Sequence, residues 1–428
     1  MGYQGMRSVF SRQSALRVNA WGLLLVLLLL VATPVRSTGV IALLMLYGIG
    51  YLIAHRESLR LARLDWWVVL LLSALLIGRI GPFMVGGYSA RYLSDGLHMV
   101  ASIPIYLMLR HAISVADLGQ LRRWLEWGVS GGAIGGMLLA LYQTQWLNMG
   151  RADGFLYSIN FGYLNAMLMA LALGLLPGST RRWGLLLAAV AVAAVVAVTL
   201  SGTRGAMLAI LGVVVLLLLL NLRRVGVVRS LGILLLGIIG LVGAYQGLPV
   251  VEQRVDKGVA EVQAILDGNL QERGSSTGHR IQLWVAAWEA FKQRPSIGLS
   301  YPEREALNDE LVEAGAVIPW VDGVSRGHAH SQYFEMLATG GVVGIIALLG
   351  YLLMPALYHG WRWRRQPDNA FALAGLGFTV AVAICGLTEV LLQQEMIAAF
   401  YAYMQAVLVA LGISHARGKE EEIRVPTP

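Results

Sequence analysis

Long apolar runs, broken by short polar turns that carry arginine, occupy almost the whole chain. Each is about 17–22 residues, enough for a helix to cross roughly 30 Å of hydrocarbon. Spans are predicted near residues 19–34, 38–55, 66–84, 94–110, 124–146, 158–177, 183–200, 204–221, 229–248, 334–358, 368–388 and 394–413. No run has the two-residue alternation of a membrane β-strand. The only long polar interruption is 249–333, where the pattern changes to that of amphipathic helices.

Within that interruption, apolar residues at 251, 255, 259, 262 and 266 repeat at helical spacing. The stretch GSSTGHRIQLWVAAWEAFKQRP predicts a second helix, capped by Ser276 or Thr277 and ended by Pro295, with Ile281, Trp284, Trp288 and Phe291 on one apolar stripe. A third helix, PEREALNDELVEAG, starts with Pro302, stops at Gly315 and presents a solvated acidic face.

Composition agrees with the pattern. Of 428 residues, 57% are hydrophobic and 14% charged, too little polar surface for a soluble domain of this length. The expectation is an all-α polytopic membrane protein with about 12 transmembrane helices and one large helical outer loop. The chain divides into 1–248 with nine helices, the loop domain 249–333, 334–413 with three helices, and a cytoplasmic tail 414–428. The first run follows Arg7, Arg12 and Arg17 without a clear cleavage site, and is expected to remain as an anchor.

The net charge of +8 is ordered along the chain. With the N-terminus inside, 20 of the 33 Lys and Arg residues fall on the cytoplasmic side, as the positive-inside rule requires, and the long loop is outside. Eight more belong to that loop. The remaining five, Arg36, Arg79, Arg91, Arg151 and Arg204, stand near outer turns against the rule. Arg36 and Arg79 are read as side chains that snorkel to the headgroups. Arg204 differs: in LSGTRGAM it would occupy the first turn of a helix capped by Ser201 or Thr203, where the helix dipole disfavours a cation. An anion should compensate, and the N–H groups beside Gly202 and Gly205, with the guanidinium fork, suit a phosphate. Arg280, near the start of the second loop helix, faces the same conflict.

Two imidazoles, His328 and His330, precede the tenth span in SRGHAHSQYFEMLATGGVVG. No D-x-D, H-E-x-x-H or C-x-x-C occurs, and two histidines alone cannot complete a zinc site. The single cysteine, Cys385, lies inside a span. A mechanism without metal or cofactor is therefore expected: arginines would neutralise phosphates while an imidazole takes the proton of an incoming hydroxyl. Glu389 and Glu395, in the outer turn LTEVLLQQEM, receive no role.

The segments SGTRGA at 201–206, HRIQLWVAAWEAF at 279–291 followed by PSIGLS, HAHSQYFEMLATGGVVG at 328–344, and RADGFLYSINFGYLNAM at 151–167 resemble the bacterial O-antigen ligase and polymerase superfamily. Its members are inner-membrane glycosyltransferases that use undecaprenyl-diphosphate donors. The resemblance implies a GT-C-like arrangement with a periplasmic active site, His330 as the catalytic histidine, and Arg204 and Arg280 as donor-diphosphate residues. Ser331 stands where the family usually has asparagine. His328, Arg151, Arg91 and Ser331 are further candidates.

The implied activity is that of an O-antigen ligase, moving a polysaccharide from undecaprenyl diphosphate to a sugar of the lipid A core by metal-independent, inverting transfer. An O-antigen polymerase or a protein O-oligosaccharyltransferase is the alternative within the superfamily. A flippase for lipid-linked sugars is the alternative of another class, weakened because charges cluster at span ends and no two halves correspond. The expected partners are the lipid-linked donor, the lipid A core acceptor and membrane lipids, with no nucleic acid.

Overall fold

A computed structural model describes residues 8–33, 35–86, 91–247, 249–267 and 275–424. Every regular element among them is helical. In chain order the principal helices are α1 (Arg12–Leu28), α2 (Ser37–Ala54), α3 (Arg63–Gly86), α4 (Arg91–Val100), α5 (Ser102–Ala112), α6 (Leu118–Leu141), α7 (Ser158–Gly174) and α8 (Arg181–Ser201). They continue as α9 (Arg204–Leu220), α10 (Val227–Gly247), α11 (Pro249–Leu266), α12 (Ser276–Gln293), α13 (Tyr301–Glu313), α14 (Gln332–Arg365), α15 (Ala370–Cys385) and α16 (Glu395–Arg424). Arg7 and the side chains of Arg91, Val262 and Leu266 lie outside the described residues.

Each predicted span has helical counterparts, but not each is one long crossing helix. Among the described residues, α2, α8, α10, α14 and most of α3 and α16 are long and apolar enough to cross a membrane. That makes six, or seven if the pair Tyr92–Ala112 and Val115–Trp146, bent by 110°, counts as one span. Helices α7, α9 and α15 are apolar but shorter. Backbone breaks divide the apolar runs: Ala101 separates α4 from α5, and α15 ends at Gly386, the start of a turn that matters below.

The core is formed by α7, α15 and α16, with α16 almost wholly enclosed. Helices α7 and α15 cross where Gly174 meets Ala374, so closely that a Cβ on Gly174 would strike the Ala374 backbone. Phe378 lies 5.5 Å from Phe400 and 5.6 Å from Tyr401 between ring centroids, a spacing at which aromatic pairs attract.

Helix α14 is broken at Gly341, which takes φ 57° and ψ −148°. The break receives the chain that leaves α12. Val342 N–H donates to Pro295 O (2.8 Å), Val343 N–H to Ser296 O (3.2 Å), and Leu299 N–H to Ala338 O (2.8 Å). Side chains at Gly341 or Gly298 would collide with these same carbonyls. The glycines of PSIG and ATGG are therefore two halves of one joint between loop and membrane helix.

A buried ion pair fixes the next segment. Arg304 on α13 and Glu335 on α14 meet at 2.9 Å, both about 1% exposed. Arg304 also donates to Gly327 O, while Glu335 accepts from Ala329 N–H (3.0 Å) and Gln393 (3.1 Å). Removing one member leaves an unpaired buried charge, which costs about 3–5 kcal/mol. Arg304→Met alone should therefore lower the unfolding midpoint of the detergent-solubilised protein much more than Arg294→Met, whose partner Glu303 is half-exposed. Equal shifts would remove this pair from its structural role.

Several local expectations need correction. Arg79 does not snorkel: it is buried, donates to Tyr92 O at 3.0 Å and lies 4.6 Å over the Tyr92 ring, so neighbouring helices solvate it. Arg36 is exposed. Ser275, not Ser276 or Thr277, caps α12, which leaves Arg280 beyond the first turn. The face of α12 that docks is Leu283, Ala286, Ala287 and Ala290, because small residues let helices approach. Trp288 on the predicted stripe remains exposed. Helix α13 begins at Tyr301 behind the Ser300 cap, and its Glu303 closes a capping box.

Candidate functional site

The Arg304–Glu335 pair holds the backbone at Gly327 and Ala329, which sets the intervening and following histidines. His330 has φ 45°, a left-handed conformation that a side chain occupies only when its surroundings impose it. Ser331 follows, buried and extended at the N-cap of α14, with no side-chain cap bond. Gln332 then grips the turn after α15: its N–H donates to Gly386 O (2.8 Å) and its side-chain oxygen accepts from Leu392 N–H (2.8 Å). That turn carries Glu389.

His330 Nδ1 lies 3.1 Å from Glu389 Oε2, and His328 Nε2 lies 3.5 Å from Glu389 Oε1. His330 N–H points at His328 Nδ1 (3.3 Å), so that nitrogen accepts and His328 carries its proton on Nε2. His330 correspondingly donates from Nδ1 to the carboxylate, which leaves Nε2 with its lone pair. Burial alone would raise the Glu389 carboxyl, but the His330 hydrogen bond and the two imidazole charges bring it below the usual carboxylate range. Burial pushes the His328 imidazole down despite Glu335 and Glu389, so it is neutral at pH 7. The result is an oriented base of the kind found wherever an acid fixes an imidazole tautomer.

The start of α9 meets the same turn. Gly205, next to Arg204, packs so tightly on Thr388 and Tyr163 that a Cβ would overlap both hydroxyls, and those hydroxyls bond each other at 2.9 Å. The start of α9 is thereby pressed against the residue before Glu389. Neither Ser201 nor Thr203 caps α9: Thr203 Oγ1 donates instead to Ser158 O (2.9 Å), and Ser201 Oγ to Val198 O (2.7 Å). Arg151 donates to Ser201 O at 2.7 Å, where the C-terminal carbonyls of α8 favour a cation.

Arg204 already has an anion. Its Nη1 lies 2.9 Å from Oε2 of Glu261 on α11, which also accepts from Thr277 Oγ1 at 2.6 Å. Burial would raise the Glu261 carboxyl, yet these two partners hold it below the usual range. Its second oxygen is buried without a hydrogen bond. Arg280 has the opposite condition: Nε is buried and has no hydrogen-bond partner among the described residues. Sequence reasoning named Arg204, Arg280 and both histidines but gave Glu389 no role and passed over Glu261. No local signal marks either carboxylate, because each acquires its partner across at least 57 residues.

Glu389 has a second consequence. With His328 and His330 it gives three ligand atoms within 4.8 Å of one another, the donor set of a zinc centre that keeps one position open. The sequence had excluded this for lack of a third ligand. The hydrogen-bond directions above favour a proton relay, and chelation decides between the two. With a proton relay, transfer activity survives EDTA unchanged; loss of activity that zinc or manganese restores would replace the relay with a metal centre.

Residues 189–349 match the family described as O-Antigen ligase, a stretch that contains Arg204, Glu261, Arg280, His328 and His330 and stops short of Glu389. An uncharacterized protein of Haemophilus influenzae is 27% identical over 108 residues, covering 25% of this chain and 26% of the relative. The chain thus spans about a quarter of the length of that curated relative. The stretch at 189–349, less than half of the chain, is thus similar to the O-antigen ligase family, and it is set in a protein with several helices long and apolar enough to cross a membrane.

Proposed function

We propose that this protein is an O-antigen ligase of the bacterial inner membrane. It transfers a polysaccharide from undecaprenyl diphosphate to a sugar of the lipid A core, on the periplasmic face. The Glu389–His330 contact at 3.1 Å carries the reading, because a carboxylate on Nδ1 leaves Nε2 of that imidazole to act as a base. In the reaction, His330 Nε2 takes the proton of the acceptor hydroxyl as its oxygen attacks the anomeric carbon. The bond from that carbon to the phosphate oxygen breaks, and the diphosphate leaves with its electron pair. Glu389 balances the imidazolium, and Arg204 and Arg280 neutralise the leaving group. The imidazolium then returns its proton to solvent.

On this reading the segment 249–333 is the periplasmic domain, between membrane helices at 1–248 and 334–413, with a cytoplasmic tail at 414–428. Reconstitution of the purified protein with lipid-linked glycan and lipid A core tests the whole. Ligated product with an inverted anomeric centre is expected. Polymer growth on the donor lipid, or movement of the donor across the bilayer without transfer, would replace the ligase by a polymerase or a flippase. A trapped glycosyl-enzyme would exclude single displacement.

Glu261 occupies the position that a donor phosphate requires at Arg204, so donor binding must displace it. Glu261→Gln weakens that competition, and the KM for the donor should fall severalfold while kcat stays close to the parent value. A raised KM would instead make Glu261 part of donor binding.

A further inference from the structure

A cavity of about 600 Å³ is lined in part by His328. Its size is that of an ordinary ligand pocket, roughly 300–1,000 Å³. The lining includes Arg36, Arg326, His328, Gln393, Gln394 and Glu395, and neither Arg204 nor Arg280 contributes. Amide side chains at Gln393 and Gln394 suit sugar hydroxyls, since each offers donors and an acceptor.

The charge is unbalanced. Among the described residues, Arg36 and Arg326 form no ion pair and Glu395 is the one carboxylate in the lining, while burial pushes the His328 imidazole toward its neutral form. Arg326 is also strained. Its φ of 62° is left-handed, and its backbone N–H is fixed by Glu305 Oε1 at 2.5 Å. Its guanidinium lies 5.8 Å from the Tyr301 ring centroid. Strain of this kind persists where the surrounding fold imposes a side-chain position.

We propose that this cavity is the acceptor site and that it selects an oligosaccharide carrying an anionic group, phosphate or carboxylate, near the accepting hydroxyl. Arg36 and Arg326 bind the anion, the glutamines bind the neighbouring hydroxyls, and the hydroxyl to be glycosylated is presented past His328 to His330. The assignment rests on the transferase reading above but is tested without transfer.

The probe is core oligosaccharide released from lipopolysaccharide, used intact, after removal of phosphate with hydrofluoric acid, or after carboxyl reduction. Binding is measured calorimetrically on purified protein in nanodiscs without donor. Arg36→Gln and Arg326→Gln should each weaken binding of the intact probe about tenfold, the scale of one charge-assisted hydrogen bond. Binding should also weaken as salt rises. One stripped probe should bind the parent protein as weakly as the intact probe binds the variants, and be indifferent to both substitutions. Which stripping does so identifies phosphate or carboxylate. Arg36→Gln carries the test by itself where the Arg326 variant fails to fold, because Arg36 is exposed. Unchanged affinity in Arg36→Gln, or equal losses for intact and doubly stripped probes, overturns the proposal. Charge-dependent binding without ligation in the reconstituted system would leave this site standing and remove the ligase.

Discussion

His330→Ala is expected to lower the transfer rate by about 10² to 10⁴, the usual worth of general-base help, while leaving donor binding intact. Three features give that expectation. Nδ1 is committed to Glu389 at 3.1 Å, Nε2 has the free lone pair, and the left-handed backbone at φ 45° shows that the fold imposes this position. Glu389→Gln should lose much of the same activity, because an amide can accept from Nδ1–H but cannot balance the imidazolium. His328→Ala should lose less. Glu389, held below the usual carboxylate range by its imidazole partners, stays ionised across the neutral range. Wild-type turnover in His330→Ala, measured as ligated glycan per enzyme, would remove this residue from the chemistry.

The second large effect concerns charge. Arg280→Ala and Arg204→Ala should each cut transfer by on the order of 10², as loss of one preorganised donor to a developing anion does, with membrane insertion near normal. The two positions should then separate. Arg280 has a buried Nε without a partner, so its removal costs binding and little structure. Arg204 is paired with Glu261 at 2.9 Å, so its removal also strands a buried carboxylate and should lower thermal stability. Adding Glu261→Gln should recover stability but not transfer. Lysine at either position should rescue only in part, for want of the bidentate fork. Full activity in both alanine variants would dissolve the diphosphate site.

Much of this was legible in the sequence for definite physical reasons. Apolar runs of membrane length announce helices, and arginines at outer turns stand out because the topology rule excludes them. The HAHSQYF segment carries the two histidines that meet Glu389. Legibility fails where a side chain's environment is made by distant chain. Arg79 looked like a snorkelling residue until Tyr92 and its carbonyl closed over it. Arg304, on a helix whose acidic face was expected to be solvated, is buried against Glu335. The α12 stripe held in part: Trp284 stacks on Phe334 at 5.1 Å, Trp288 stays exposed, and Leu283 with the alanines forms the fully buried contact. Against twelve predicted spans, the described residues hold six helices long and apolar enough to cross a membrane, or seven with one bent pair, and three shorter apolar helices.

The joint at Gly341 gives the outer segment an asymmetric suspension. Past α12 the chain is riveted to α14 through the main chain at three points, 2.8–3.2 Å each, with glycines on both surfaces. Such a fixture has no side chain to exchange with a ligand. On the α11 side, the tie to α9 is the Glu261 carboxylate on Arg204, which any stronger anion can replace. A diphosphate arriving there would work like a key in a one-sided clasp: α11 swings while the rivets keep the His330 loop and Glu389 in register. The base would thus hold a constant aim through every cycle of loading and release.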